Sequence, residues 1–69
     1  MDREETLKSI GACCRKWRED MRMTLREVAD LMGCSLQAVS RFELGHMNNA
    51  VMLFWYIENG AEVKIHAKK

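Results

Sequence analysis

Apolar residues in the first third of the chain recur at alternating steps of three and four residues. The series is Leu7, Ile10, Cys14, Trp17 and Met21. Steps of this kind place side chains on one stripe of an α-helix, so the pattern predicts an amphipathic helix over about residues 2–22. Acidic residues near its start and Arg22 at its end suit the helix dipole.

A second, shorter helix is predicted from a capping signal. Thr24 and Glu27 have the spacing of a capping box, in which each side chain accepts a hydrogen bond from the backbone amide of the other residue. They open a helix that ends at Gly33, because glycine adopts the left-handed conformation of a tight turn at little cost. Its predicted inward-facing residues are Val28, Leu31 and Met32.

The third helix follows the second after a short turn. Ser35 is its predicted N-cap, and Gly45 is predicted to end it. Val39 and Phe42, three residues apart, form its predicted inward pair. Two short helices joined by a tight turn that contains glycine form a helix-turn-helix unit, here residues 24–45.

The fourth predicted helix is apolar on all sides. Asn49 is its predicted N-cap, and the helix runs from Ala50 to about Glu58 with apolar residues throughout 51–57. A helix in so small a domain has one buried face, so an apolar opposite face implies a partner. We expect that partner to be a second copy of the chain, because most soluble oligomers are symmetric homodimers.

A short strand is predicted after the turn signal at Asn59 and Gly60. Residues 61–67 alternate apolar and polar side chains, which is typical of a strand. A single strand in a helical domain has nothing to pair with, so we expect it to pair with its two-fold mate; the alternative is a frayed polar tail. The residues predicted to form the dimer contact are Trp55, Tyr56, Val63 and Ile65.

The predicted fold class is therefore all-α, with four helices and a short C-terminal β-strand that pairs across a dimer. Residues 1–60 form one helix-turn-helix domain, and residues 61–69 form a tail that serves dimerisation. A chain of 69 residues accommodates one domain with a small core.

Composition narrows the chemistry further. Cys13, Cys14 and Cys34 form no CxxC pair, and neither histidine lies at metal-ligand spacing from them, so we expect no disulfide, metal or cofactor. The longest apolar run is eight residues, against the roughly 20 that span a membrane, so we expect a cytoplasmic protein. Enzymatic activity is not expected, because no histidine lies near a nucleophile in the sequence and no glycine-rich phosphate loop is present.

The helix-turn-helix segment carries a specific family pattern. From Thr24 to Gly45 the chain reads TLREVADLMGCSLQAVSRFELG. It resembles the signature T-x-x-E-[LV]-A-x-x-x-G-[VC]-S-x-x-x-[IV]-S-x-x-E-x-G of the lambda-repressor-like helix-turn-helix family, also called the XRE or Cro-and-repressor family. Ile10, Gly11 and Arg18 match the first helix of that family, and the resemblance covers roughly residues 10–57.

The outward face of the third helix is the candidate surface for contacting DNA bases. It includes Leu36, Gln37, Ser40 and Arg41. Gln37 suits the N6 and N7 atoms of adenine, Arg41 suits guanine or a phosphate, Ser40 suits a base edge or a phosphate, and Leu36 suits a thymine methyl group. The resemblance points the same way, since the family reads bases from this face. Without it, the same residues would be interpreted as a solvated helix face.

The resemblance also implies supporting roles. It implies a structural ion pair between Arg18 and Glu43. The family usually has glutamine, a phosphate ligand, where this chain has Leu25. The residues expected to contact DNA phosphates instead are Thr24, Arg26, Asn48 and Asn49.

Two functions compete at this point. The first is a sequence-specific DNA-binding transcriptional regulator, Cro-like, that binds a palindromic operator in double-stranded DNA as a homodimer through helix 3 in the major groove. The second is a protein-interaction module, such as an antitoxin or an anti-repressor, that uses the apolar fourth helix and the C-terminal strand. The net charge is only +1, and Arg41 is the single Lys or Arg between Glu27 and Val63, so non-specific DNA affinity should be modest.

Overall fold

The computed structural model describes residues 2–64, which form four helices in an all-α arrangement. Helix α1 spans Arg3–Asp20, α2 spans Leu25–Met32, α3 spans Leu36–Glu43 and α4 spans Ala50–Glu58. Helix α3 packs against both α1 and α2, and α4 closes the core from the side of α1. The predicted four-helix fold is confirmed.

Every helix begins at a side-chain cap. The side chains of Asp2, Thr24, Ser35 and Asn49 each accept a hydrogen bond from the backbone amide three residues later. Both halves of the predicted capping box are present: the Thr24 hydroxyl accepts from the Glu27 amide at 3.1 Å, and the Glu27 carboxylate accepts from the Thr24 amide at 2.9 Å. The caps predicted at residues 24, 35 and 49 are therefore confirmed.

All four helices also end in the same way. After each one, a residue with positive φ allows two amides to turn back onto carbonyls of the last helical turn, which is the Schellman arrangement. Three of these residues are Gly33, Gly45 and Gly60, and the fourth is Arg22 at φ 58°. Helix α1 therefore ends at Asp20, two residues before the predicted end, because Arg22 has already left the right-handed conformation.

The core is built from one or two side chains of each helix. Cys14 of α1, Val28 of α2, Val39 of α3 and Tyr56 of α4 are fully buried at its centre. Removing side chains of this size from water is the main favourable contribution to folding.

Two predicted inward residues are exposed instead. Met21 is 57 % exposed because it follows the end of α1. Leu31 is 64 % exposed: at 100° per residue it points about 110° away from the mean direction of Val28 and Ala29, the buried residues of α2. The inward prediction was wrong for both.

Helix α1 approaches the end of α3 unusually closely at Gly11. A Cβ atom on Gly11 would lie 2.6 Å from the carbonyl oxygen of Phe42 and would also collide with that of Glu43. Only glycine allows the two backbones to come this close. The contact fixes the C-terminal half of α3 against the longest helix of the domain.

The C-terminal strand is not confirmed. Residues 61–64 follow the Gly60 turn without strand structure; Ala61 is buried and Val63 is half-buried against the core. The remainder of the predicted strand, including Ile65, lies outside the described residues.

Candidate nucleic-acid interface

The outward face of α3 presents its polar side chains to solvent. Gln37 and Arg41 are exposed, and within residues 2–64 neither side chain has a hydrogen-bond partner or an ion-pair partner in the protein. Ser40 is half-buried on the same face. Leu36 is also half-buried, but at 100° per residue it points about 100° away from Gln37, towards the side of the buried Val39. Three of the four predicted base-reading residues therefore share the outward face, and Leu36 lies at its border with the core.

The two exposed polar side chains lie about one helical turn apart. Gln37 and Arg41 are four residues apart, which is about 6 Å along the helix axis and slightly more than one turn. An α-helix has a diameter that fits the major groove of B-form DNA, where each base pair displays its own donor and acceptor pattern.

The N-terminus of α2 lies at the start of the helix-turn-helix unit and bears two of the predicted phosphate contacts. Thr24 is exposed, and its hydroxyl oxygen serves the capping box while its proton remains available to donate. Arg26 is exposed and has no ion-pair partner among residues 2–64. A helix N-terminus next to an unpaired arginine suits an anionic ligand.

The two asparagines before α4 differ in how free their side chains are to bind a phosphate. Asn48 is exposed. Asn49 is half-buried, and its side-chain oxygen accepts from the Met52 amide at 3.0 Å as the helix cap. Its amide nitrogen lies 3.9 Å from the sulfur of Met47. Asn48 is thus the freer of the two predicted phosphate ligands.

Two basic residues in the second half of α1, Arg15 and Lys16, are engaged along the helix itself. Arg15 pairs with Glu19 at 3.3 Å, and Lys16 pairs with Asp20 at 3.0 Å, both between residues four apart. These exposed pairs contribute little to stability and neutralise the positive charge of that face. Arg26 and Arg41, on the helix-turn-helix unit, carry no such neighbour among the described residues.

Arg18, Glu43 and Tyr56 form a buried network that joins three helices. The Arg18 guanidinium donates to both carboxylate oxygens of Glu43, at 2.8 Å from Nε and 3.0 Å from Nη2. The Tyr56 hydroxyl donates to the same carboxylate at 2.6 Å, and Arg18 Nη1 donates to the Met23 carbonyl at 2.8 Å. Arg18 and Glu43 thus form the ion pair that the family resemblance implied.

Burial sets the electrostatics of this network. Arg18 is 9 % exposed and Glu43 is 5 % exposed, so solvent screens their interaction weakly. The hydrogen bond to Glu43 raises the pKa of Arg18, and burial followed by the same carboxylate raises the pKa of Tyr56. Arg18 therefore stays charged and Tyr56 stays protonated near neutral pH, and their hydrogen bonds to Glu43 hold the end of α3 in place.

Tyr56 was not recognised from the sequence as a member of this network. It was predicted to contact a second copy, yet it is fully buried, stacks on Phe42 at 5.7 Å between ring centroids, and uses its hydroxyl within its own chain. Its assignment to the dimer surface is therefore corrected. The neighbouring Trp55 is half-buried and packs edge-on against Trp17 at 5.9 Å.

Other classes of site have little support in the described part of the chain. Within residues 2–64, no three His, Cys, Asp or Glu side chains converge as metal ligands would. The three cysteines are all free thiols. Of the helices described, none has both the length and the apolar character needed to cross a bilayer.

Comparison with known proteins gives one match. A family model described as helix-turn-helix matches residues 15–49, just over half of the chain. The matched segment contains α2, α3 and the part of α1 that carries Arg18. Neither the curated proteins nor the solved structures contain a significant match.

Proposed function

This chain belongs to the lambda-repressor-like helix-turn-helix family, and from that membership we propose that it is a sequence-specific transcriptional regulator. The family is one of DNA-binding regulators, so DNA is the partner that membership implies. We propose further that the protein binds a palindromic operator as a Cro-like homodimer, with α3 in the major groove.

The observation that supports base reading best is the free polar face of α3. Gln37 and Arg41 point away from the core, and no other described side chain occupies their polar groups. Meanwhile Glu43, two residues after Arg41, is locked into the buried network. A helix that reads bases selectively needs both properties. Its polar side chains must be free to bind, and its backbone must be held in one position.

Phosphate contacts position the reading helix. We assign them to Thr24 and Arg26 at the start of α2 and to Asn48 in the loop before α4, with Asn49 contributing only its amide nitrogen. Contacts of this kind fix the register of a protein on the duplex but carry no sequence information. Because phosphate contacts do not read the sequence, specificity must come mainly from α3.

A homodimer accounts for a palindromic operator. A two-fold dimer whose two copies of α3 lie about 34 Å apart, one turn of DNA, would read one half-site with each copy. The predicted dimer contact through Val63 and Ile65 competes with a contact through the exposed apolar face of α4, and sedimentation of variants distinguishes the two.

Selection of duplexes from a random pool tests this function. We expect a two-fold symmetric sequence to be enriched. The variants Gln37→Ala and Arg41→Ala should each lose about 5- to 100-fold in affinity and relax the sequence preference at one position of each half-site. Arg15→Ala is the matched control, because it removes an arginine from α1; it should leave the selected sequence unchanged. Enrichment of no sequence would refute the proposal.

A protein-interaction module is the second candidate. It is favoured by four large apolar side chains that α2 and α4 leave exposed: Leu31, Val51, Phe54 and Ile57. Salt titration separates the two functions. A regulator prefers one duplex and loses affinity steeply as salt rises, whereas an antitoxin-like or anti-repressor-like module would show neither behaviour.

A further inference from the structure

The outer surface of α4 is apolar where a monomeric domain would carry polar residues. Val51 is 80 % exposed, Phe54 is 65 % exposed and Ile57 is 46 % exposed. The buried face of the same helix is formed by Met52 and Tyr56. At 100° per residue, Phe54 points about 180° away from the mean direction of those two residues. The exposed residues, named here the α4 stripe, therefore centre on the side opposite the core.

The apolar surface continues from the α4 stripe onto α2. Leu31 is 64 % exposed, and together with Val51 and Trp55 it lines an apolar groove of about 210 Å³ between the two helices. Exposed contiguous apolar surface of this kind marks an interaction site, since isolated apolar residues are common on surfaces but clusters of them are not.

We propose that a second copy of the chain covers the α4 stripe, with the two α4 helices antiparallel and crossing at Phe54. The inference rests on the homodimer of the proposed function and assigns its contact surface. In this arrangement Phe54 contacts its own symmetry mate, while Val51 of each copy faces Ile57 of the other.

The symmetry of the stripe favours a second copy over another protein. Val51 and Ile57 lie three residues before and after Phe54, so reversing the direction of the helix places apolar side chains opposite apolar side chains. A two-fold interface requires this self-complementarity, in which residue i contacts residue j and residue j contacts residue i.

The absence of charge on the α4 stripe also favours a second copy of the chain. Residues 50–57 of α4 carry no charged side chain, and Glu58 ends the helix. In an antiparallel pair the two Glu58 carboxylates lie at opposite ends of the contact, so the stripe brings no like charges together. A stripe without charge offers a differently charged partner nothing to recognise electrostatically.

The size of the stripe indicates a reversible dimer. Three apolar side chains cover much less than the ~800 Å² per partner of a standard interface. They suit the apolar centre of an interface, and polar flanks must supply its rim. We therefore expect a dimer that dissociates when the protein is diluted.

Analytical ultracentrifugation of the full chain tests the surface with a matched pair of variants. Phe54→Lys places a charge at the centre of the stripe, whereas Met21→Lys places the same charge at a residue that is similarly exposed, at 57 %, but lies at the end of α1. Phe54→Lys should weaken the dimer by about 100-fold or more, because the change occurs twice in a two-fold interface. Met21→Lys should sediment as the wild type does.

Further variants keep the result interpretable. Val51→Lys, at the most exposed position, should dissociate the dimer as well, and Phe54→Leu should preserve it. Circular dichroism of the Lys variants checks that the monomer remains folded. A wild-type chain that is monomeric at several hundred micromolar overturns the inference. So does a dimer that survives both Lys variants but is lost when residues 65–69 are removed, because the contact would then lie in the tail.

Binding to a duplex that carries one half-site separates this inference from the proposed function. If both hold, Phe54→Lys binds the half-site as the wild type does and loses affinity only for the full palindrome. If the variants dissociate the dimer and no chain prefers any duplex, the surface is correct and the regulator proposal fails. If half-site binding is specific while Phe54→Lys still dimerises, the regulator proposal holds and the surface assignment fails.

Discussion

Removal of the Glu43 carboxylate is the sharpest perturbation of this fold. Glu43→Ala deletes the acceptor of three hydrogen bonds, two from Arg18 and one from Tyr56. The guanidinium that remains is 9 % exposed and retains only the Met23 carbonyl as a described partner. Breaking a buried ion pair by removing one partner costs about 3–5 kcal/mol.

That loss is large for a domain of 69 residues. Domains of this size have a free energy of unfolding of about 3–10 kcal/mol. Since 1 kcal/mol shifts the melting temperature of a small domain by about 4–8 °C, we expect Glu43→Ala to melt about 15 °C or more below the wild type. The variant should be near the limit of folding at 37 °C.

Thermal and urea unfolding followed by circular dichroism measure the effect. All variants must be compared at one protein concentration, because dimerisation adds concentration-dependent stability. Glu19→Ala is the matched control: it removes a carboxylate whose pair with Arg15 is about half exposed, and it should change stability by less than about 1 kcal/mol. A Glu43→Ala variant that melts within about 2 °C of Glu19→Ala, a difference of about 0.5 kcal/mol or less, would refute the reasoning.

A triple variant identifies the cause of the loss. Arg18→Met combined with Glu43→Leu and Tyr56→Phe removes both charges and the buried hydroxyl that would lose its acceptor, and it keeps most of the volume. It should therefore recover a large part of the stability lost by Glu43→Ala. If the triple variant is as unstable as the single one, the loss comes from packing and not from unpaired polar groups.

Three further outcomes are expected. Arg22→Gly should raise stability by about 0.5–1 kcal/mol in urea titrations, because Arg22 holds a left-handed φ of 58° that glycine adopts freely; lower stability would contradict this. Burial raises the pKa of the Cys14 thiol from 9.0 to about 12, and burial also raises the pKa of the Tyr56 hydroxyl. The folded state therefore holds both protons more tightly than the unfolded state does, and ionisation of either group destabilises the fold. Stability should therefore be constant near neutral pH and fall as the pH rises from 9 towards 12; a flat profile would count against it. Finally, replacing a thymine of the selected operator with uracil should weaken binding of the wild type but not of Leu36→Ala if Leu36 contacts the thymine methyl.

Local signals determined most of the secondary structure in advance. The capping box at Thr24 and Glu27, the caps at Ser35 and Asn49, and the stop at Gly33 each depend on side-chain chemistry within a few residues, and the structure contains them all. The end of α1 was the exception. No local rule indicates that an arginine, Arg22, will adopt a conformation that favours glycine.

The sequence could not predict which face of α4 is buried. Its residues 51–57 are all apolar, so no periodicity distinguishes the face that Met52 and Tyr56 bury from the face that Phe54 exposes. The partner of the Tyr56 hydroxyl depends on where Glu43 of α3 arrives in three dimensions. Pattern recognition could find the pair with Arg18 but had no signal for its third member.

The central claim is that α3 reads DNA sequence, and a fluorescence anisotropy titration tests it most directly. A labelled selected duplex and a scrambled duplex of the same composition are titrated with the protein from about 50 to about 200 mM salt. The account predicts at least about a 1,000-fold preference for the selected duplex, with Gln37→Ala and Arg41→Ala both reducing it. Equal affinity for the two duplexes across that salt range would contradict the account.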